Sequence, residues 1–262
     1  MDISSIIFLF IGILSLILGF VLEGGSIGGL LEPTAALIVF GGTLGAVGVS
    51  FPMKEIKRIP KMIAVIFKKQ NQDLVQTLEE FKYIAGEVRK NGLLQLEEVI
   101  NNKDMDPFMK KGLQMAIDGV EPEVIKECLE VEATMISQRH RAGAKIFDSA
   151  GGYAPTLGII GTVLGLIHVL GSMNDTSTLG SKIAVAFVAT LYGVFSANIL
   201  WMPIGSRLKN LDSDELKRNS MIIDGVLAVQ EGRSPQAITN KLIGYIDKNY
   251  VNKFTNIEGQ GD

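Results

Sequence analysis

Hydrophobic and polar positions alternate along this chain on two scales. On the coarse scale four stretches are almost wholly apolar: Ile3–Leu22 and residues 30–51, 148–170 and 183–204. Each has about the 20 residues that a helix needs to cross a bilayer core, so the pattern predicts four transmembrane helices. Asp2 stands where a leader peptide would carry basic residues, and a second apolar block follows at once, so the first stretch reads as a span. On the fine scale, DLVQTLEEFKYIAGEVRKNG puts Leu74, Leu78, Phe81, Ala85 and Val88 on one helical face. Asn91-Gly92 is a stop, residues 93–100 start again, and Pro107 and Pro122 mark helix starts. Residues 123–146 then run, with Gly143 as the one breaker, straight into the third apolar stretch. After the fourth, residues 212–230 and 236–247 read as helices separated by EGRSP, and TNIEGQGD reads as a disordered tail. The predicted fold is all-α: a polytopic membrane protein with four transmembrane helices and a helical cytoplasmic domain. Its segments are 1–52 (spans one and two), 53–145 (cytoplasmic helices), 146–204 (spans three and four) and 205–262 (C-terminal cytoplasmic helices and tail).

Charge orients these spans. The connection between the first two holds Glu23 and Glu32 but no Lys or Arg, and that between the last two holds only Lys182. All other Lys and Arg lie in residues 54–145 or beyond 205. The positive-inside rule therefore predicts cytoplasmic termini, with residues 23–29 and 172–181 outside. Bulk composition adds mainly exclusions. A net charge of −3, without a basic stripe interleaved with aromatics, gives no nucleic-acid footprint. Cys128 is the single cysteine, so no internal disulfide forms, and with His140 and His168 it cannot build a zinc site. No nucleophile–base set or phosphate loop is visible, so the expectation is a protein that is not an enzyme.

The third apolar stretch, AGGYAPTLGIIGTVLGL, is crowded with glycine. In lipid, helices associate through close packing that small residues permit. Ala154, Gly158, Gly161 and Gly165 form such a seam, Ala189, Gly193 and Ala197 form another, and Gly41 and Gly45 a third. The contacts they predict lie either within the chain or between copies. Pro155 lacks an amide hydrogen and leaves a carbonyl one turn back without its donor. Such backbone survives in a membrane where protein or a water-filled path covers it. Pro203 stands near the same edge of the fourth span. The two are either helix-boundary prolines or part of a lined passage with Thr162 and Thr190 further in, whose hydroxyls can equally bond to their own preceding turns. No Asp, Glu, Lys or Arg lies in the middle of a span, and His168 near an outer end reads as an interfacial residue. A cation relay at that depth needs a carboxylate from elsewhere.

AGGYAPTLGIIGTVLGLIHVLG and ATLYGVFSANILWMPIGSRL, with four spans and a large loop after the second, resemble the MotA/PomA family of flagellar-motor stator subunits. The resemblance implies a homo-pentameric ring around two copies of a single-span MotB/PomB-type partner that carries a transmembrane Asp. It also implies the bacterial inner membrane, and cation flow that turns the ring against a rotor switch-complex protein. Pro155 and Pro203 match the family's mechanistic prolines, Thr190 a threonine on the ion path, and Thr162 a second hydroxyl found in sodium-driven members. The translocated ion, H+ or Na+, stays open, and no cofactor is expected. Arg89, Lys90, Glu97 and Glu98 match the rotor-facing charge cluster, although the two basic residues also suit the last turn of a helix. The alternative in the superfamily is an ExbB/TolQ-type energiser, which typically has three spans and an outside N-terminus.

Overall fold

The computed structural model describes residues 3–68, 73–93, 96–102, 105–171 and 179–246, and within these every regular element is helical. In chain order they are α1 (Ile3–Leu22), a 3-10 turn (Ile27–Leu30), α2 (residues 33–50), α3 (Met53–Ile56), α4 (Ile59–Phe67), α5 (Leu74–Asn91) and α6 (Leu96–Asn102). Then come α7 (Pro107–Ile117), α8 (Pro122–Gly171), α9 (Leu179–Phe195), α10 (Met202–Gln230), α11 (Pro235–Leu242) and a 3-10 turn (Ile243–Tyr245). A wide π turn, Leu37–Gly41, lies inside α2, and a second, Ser196–Trp201, joins α9 to α10 without a break. Among the described residues three segments are long and apolar enough to cross a membrane: Ile27–Ser50, Pro122–Gly171 and Lys182–Gln230. The chain is thus a membrane protein. It forms two compact units, Met1–Lys69 with Arg139–Asn210, and Gln70–Gln138 with Leu211–Asp262.

In the first unit α2 begins at Pro33, where a missing amide hydrogen costs nothing. It buries Ala35 and Val39 against Val188 and Ala189 of α9. Tyr192 clasps the entry to α2: its hydroxyl donates to the Leu30 carbonyl and accepts from the Glu32 amide at 3.2 Å. The amphipathic α4 places Ile66 against Ala144, Phe147 and Leu208. At Gly143, the lone breaker expected in α8, the end of the Met62 side chain packs close, its sulfur 2.6 Å from where a Cβ would stand.

The second unit is built around one apolar core. Leu78, Phe81 and Ala85 of α5 are buried in it with Leu113, Leu129, Met221, Ile222 and Val226, while Leu74 and Val88 pack at its margin. Phe81, fully buried, lies on Gly225, where a Cβ would come within 2.5 Å of the ring. Burying such a ring stabilises by about 1.5–3 kcal/mol. Side-chain oxygens cap three helix starts: Asp73 accepts from the Val75 amide at 2.9 Å, Asp106 from Phe108 at 2.8 Å, and Ser234 from Ala237 at 3.3 Å. Gly92, at φ 83°, ends α5.

One expectation needs correction, and one of the two alternatives for the prolines is closed. The final helix, expected over residues 236–247, ends at Leu242 and tightens into the turn Ile243–Tyr245, because Gly244 is a poor helix former in mid-run. Pro155 and Pro203 do not bound helices. Pro155 lies inside the 50-residue α8, and Pro203 inside the continuous run through α9, the π turn and α10. Of the expected outer connection, residues 172–178 fall outside the described residues and 179–181 belong to α9, while the C-terminal tail is outside them altogether.

Candidate functional site

The seams of small residues expected in the third and fourth apolar stretches meet each other within one chain. A Cβ on Gly193 would stand 2.5 Å from the Ala154 carbonyl oxygen and 3.1 Å from the Cα atoms of Gly158 and Pro155. One on Gly158 would stand 2.8 Å from the Ala189 oxygen, and ones on Gly161 and Gly165 within 2.7 and 2.6 Å of the Ala189 and Ala186 methyls. The two helices touch backbone to backbone, which only glycine allows. In α2 the packed glycine is Gly42, under Leu157, whereas Gly45 faces open space.

This close approach brings Thr162 and Thr190 into contact. The two hydroxyls are hydrogen-bonded to each other, Thr162 Oγ1 also lies 3.0 Å from the Ala186 carbonyl oxygen and 3.2 Å from that of Gly158, and Thr190 Oγ1 lies 3.3 Å from the latter. Each threonine has one hydrogen to donate and two lone pairs to accept with. The two carbonyls also take their own helix amides, so four oxygens share four hydrogens, and accepting capacity is still left over inside an otherwise apolar wall. Water or a hard cation suits such a set of uncharged oxygens. Among the described residues no group of three His, Cys, Asp or Glu side chains is placed to hold a metal ion.

The prolines connect differently. Pro155 frees the carbonyl of Gly151, one turn back. Gly151 lies against Met202, whose Cγ would be 2.7 Å from a Cβ, so the loosened turn abuts the residue before Pro203. Pro203 itself lines a separate cleft with Phe8, Leu9, Gly12 and Arg207. Pro155, Thr162 and Thr190 therefore gather along one seam, and Pro203 looks elsewhere. Sequence reasoning missed a polar border near Pro203: Asp148 pairs with Lys209 at 2.6 Å, over Gly205, where a Cβ would sit 2.7 Å from the carboxylate. Ser50 and Tyr153 hydroxyls add a contact of 2.9 Å. The one available signal was that glycine, set a turn before Lys209.

In the second unit Arg89 and Lys90 lie exposed in the last turn of α5, and Glu97 and Glu98 exposed in the first turn of α6. Lys90 has Glu87 at 3.9 Å, a loose pair on the surface. Opposite charges thus flank Gly92 on two helix ends. On another face Asp224 takes hydrogen bonds from Tyr245 at 2.7 Å and Lys241 at 2.9 Å, fastening α11 and its turn to α10. Burial works to raise the Asp224 carboxyl, but the bonds from Lys241 and Tyr245 and the charges of Lys241 and Lys126 outweigh it and hold it low. The Tyr245 phenol is pushed up to about 12 by burial and by Asp224.

Comparison with known proteins fits this architecture. Residues 100–221 match the MotA/TolQ/ExbB proton channel family, and residues 6–92 match the motility protein A N-terminal family. The chain is 42% identical over 250 residues to motility protein A of Bacillus subtilis, covering 94% of this chain and 91% of that protein. It is 35% identical over 257 residues to the chemotaxis protein PomA of Vibrio alginolyticus, covering 97% and 96%. Among solved structures, the flagellar MotAB stator complex from Bacillus subtilis superposes with a TM-score of 0.90 at 41% identity, over 97% of this chain and 98% of that one.

Proposed function

Taking as premise that the chain belongs to the motility protein A family, we propose that it is a flagellar-motor stator subunit that couples cation flow to rotation. The observation that carries this is the agreement with the MotAB stator complex over nearly the whole of both chains. The match of residues 6–92 to the motility protein A N-terminal family favours the stator over the ExbB/TolQ-type alternative. In this reading α1, 20 residues long and apolar, is a fourth span. Both termini and the charged helices face the cytoplasm of a bacterial inner membrane, as the Lys and Arg distribution favours. Five copies form a ring around two copies of a single-span MotB/PomB-type partner.

The chemistry divides between the chains. The seam of α8 and α9 offers the Thr162 and Thr190 hydroxyls and backbone carbonyls, which accept a cation or ordered water but hold no charge of their own. A titrating carboxylate, the group that a relay at this depth needs, comes from the partner's transmembrane Asp. Pro155 and Pro203 loosen the backbone at the cytoplasmic edge of the pathway. Arg89, Lys90, Glu97 and Glu98 engage the rotor switch-complex protein. The translocated ion is H+ or Na+.

Reconstitution tests the reading. The purified chain alone gives no selective cation flux in vesicles. Flux begins when the partner is added with any periplasmic plug removed, and stops when the partner's Asp becomes Asn while the complex stays assembled. Gradient-driven, selective flux through this chain alone refutes the division of labour.

A further inference from the structure

The cleft beside Pro203 in the first unit has a volume of about 410 Å3. Phe8, Leu9 and Gly12 of α1 form one wall, Ile66 of α4 a second, and Ile199 and Arg207 lie on the third. At Gly12 the two sides nearly touch, with the Ile199 methyl 3.4 Å from where a Cβ would stand. The lining is apolar apart from Asn198 and Arg207. Asn198 gives an amide hydrogen back to its own helix, at 2.9 Å from the Val194 carbonyl, and Arg207 brings a positive charge to one end.

Such a space does not stay empty, because its lining atoms forfeit dispersion contacts. Water is a poor filler, since each molecule needs two to four polar partners. Flexible hydrocarbon suits the apolar lining, and an anionic end suits the charge of Arg207. Arg207 follows the apolar stretch 183–204 by three residues, which sets its charge at headgroup depth. The guanidinium's planar fork matches phosphate oxygens in pairs. Lys68, exposed and next to Phe67 of the lining, adds a second cation nearby. Basic pockets between spans on the cytoplasmic side of a membrane bind anionic headgroups for the same reasons. We propose that this cleft binds an anionic phospholipid of the cytoplasmic leaflet, one acyl chain between α1 and α10 and the phosphate on Arg207. The inference rests on the topology proposed above, not on the stator activity.

Trp201 is the chain's single tryptophan and adjoins Leu200 of the lining, so it reports locally on the cleft. The full chain is reconstituted in phosphatidylcholine vesicles, and dibrominated phosphatidylglycerol or dibrominated phosphatidylcholine is titrated in while Trp201 fluorescence is read. Phosphatidylglycerol should quench at about tenfold lower mole fraction, a difference of about 1.4 kcal/mol. Arg207→Gln should abolish the preference, Arg207→Lys should keep most of it, and Asn198→Phe, which fills the cleft, should weaken quenching by both lipids. Equal quenching by the two lipids, or a preference that survives Arg207→Gln, overturns the proposal. So does efficient cross-linking between copies through Leu9→Cys in a Cys128→Ser background, unaffected by phosphatidylglycerol, because a second copy then fills the cleft. Lipid preference in a chain that supports no flux or motility would defeat the stator reading alone.

Discussion

Gly193→Ala is the sharpest probe of the seam. The added methyl would stand 2.5 Å from the Ala154 oxygen, against about 3.4 Å for ordinary contact, and its other near neighbours are the Cα atoms of Gly158 and Pro155. All three are backbone, so no rotamer change relieves the clash and the helices must part by close to 1 Å. Overpacking of this kind costs about 1–3 kcal/mol, offset by roughly 1 kcal/mol from alanine's better helix propensity. The net change, from about 0 to 2 kcal/mol, lowers the melting temperature by up to a few degrees in a chain of this size. The functional loss should exceed the stability loss, since the same displacement pulls Thr190 out of hydrogen-bond reach of Thr162 and Gly158. Gly45→Ala is the control: nothing lies within 4 Å of its Cβ position, so it gains helix propensity without strain. Both variants are compared by thermal unfolding in detergent and by swimming speed at matched expression. If Gly193→Ala melts and swims like Gly45→Ala, the backbone contact does not carry the hydroxyl pair and the reasoning fails.

Thr190→Val, nearly isosteric, should leave assembly intact and cut cation flux at least several-fold; unchanged flux removes the hydroxyl from the pathway. Arg89→Glu should accumulate normally, because exposed substitutions cost little, yet reduce motility until a rotor charge is reversed in compensation; loss of the protein itself would make Arg89 structural. The Asp224–Tyr245 fastening should be pH-sensitive at both extremes. The lowered Asp224 value means its contribution is present above the unfolded value of 3.8 and lost as pH falls through the folded one, while the raised Tyr245 value means a contribution present below 10.0 and lost as pH rises through about 12. Absorbance at 295 nm should show one tyrosine ionising late in the native chain and absent in Tyr245→Phe, and identical curves would refute it. Cys128 is exposed in the second unit, so a membrane-impermeant thiol reagent should miss it in intact cells and label it after lysis.

Much of this architecture was legible because its signals are local. Pro107 and Pro122 start helices, Gly92 ends one, and the apolar face of α5 follows from the spacing of Leu78, Phe81 and Ala85. The hydroxyl pair was nearly legible too: Thr162 and Thr190 were singled out, but that they touch depends on two seams interlocking, and pattern alone does not say which seam meets which. The wide turns defeated the rest. A π turn absorbs one extra residue and so rotates everything after it by about 100° relative to a regular helix. A regular wheel carried across Ser196–Trp201 therefore misplaces every later residue, Pro203 among them, which lines the cleft with α1. Contacts between residues far apart in sequence, such as Phe81 on Gly225 or Asp148 with Lys209, left no periodic trace at all.

The Tyr192 clasp bears on how the chain is made. The Leu30 carbonyl and Glu32 amide reach their partner 162 and 160 residues further along. At ribosomal rates of about 5–20 residues per second, that interval is on the order of ten seconds or more. Throughout it the N-terminal helices are already out of the ribosome, but the turn between them lacks the group that fixes it. The first half of the protein stays provisional until the last apolar helix arrives, so Tyr192→Phe should act most strongly on the yield of correctly inserted protein and less on the finished molecule.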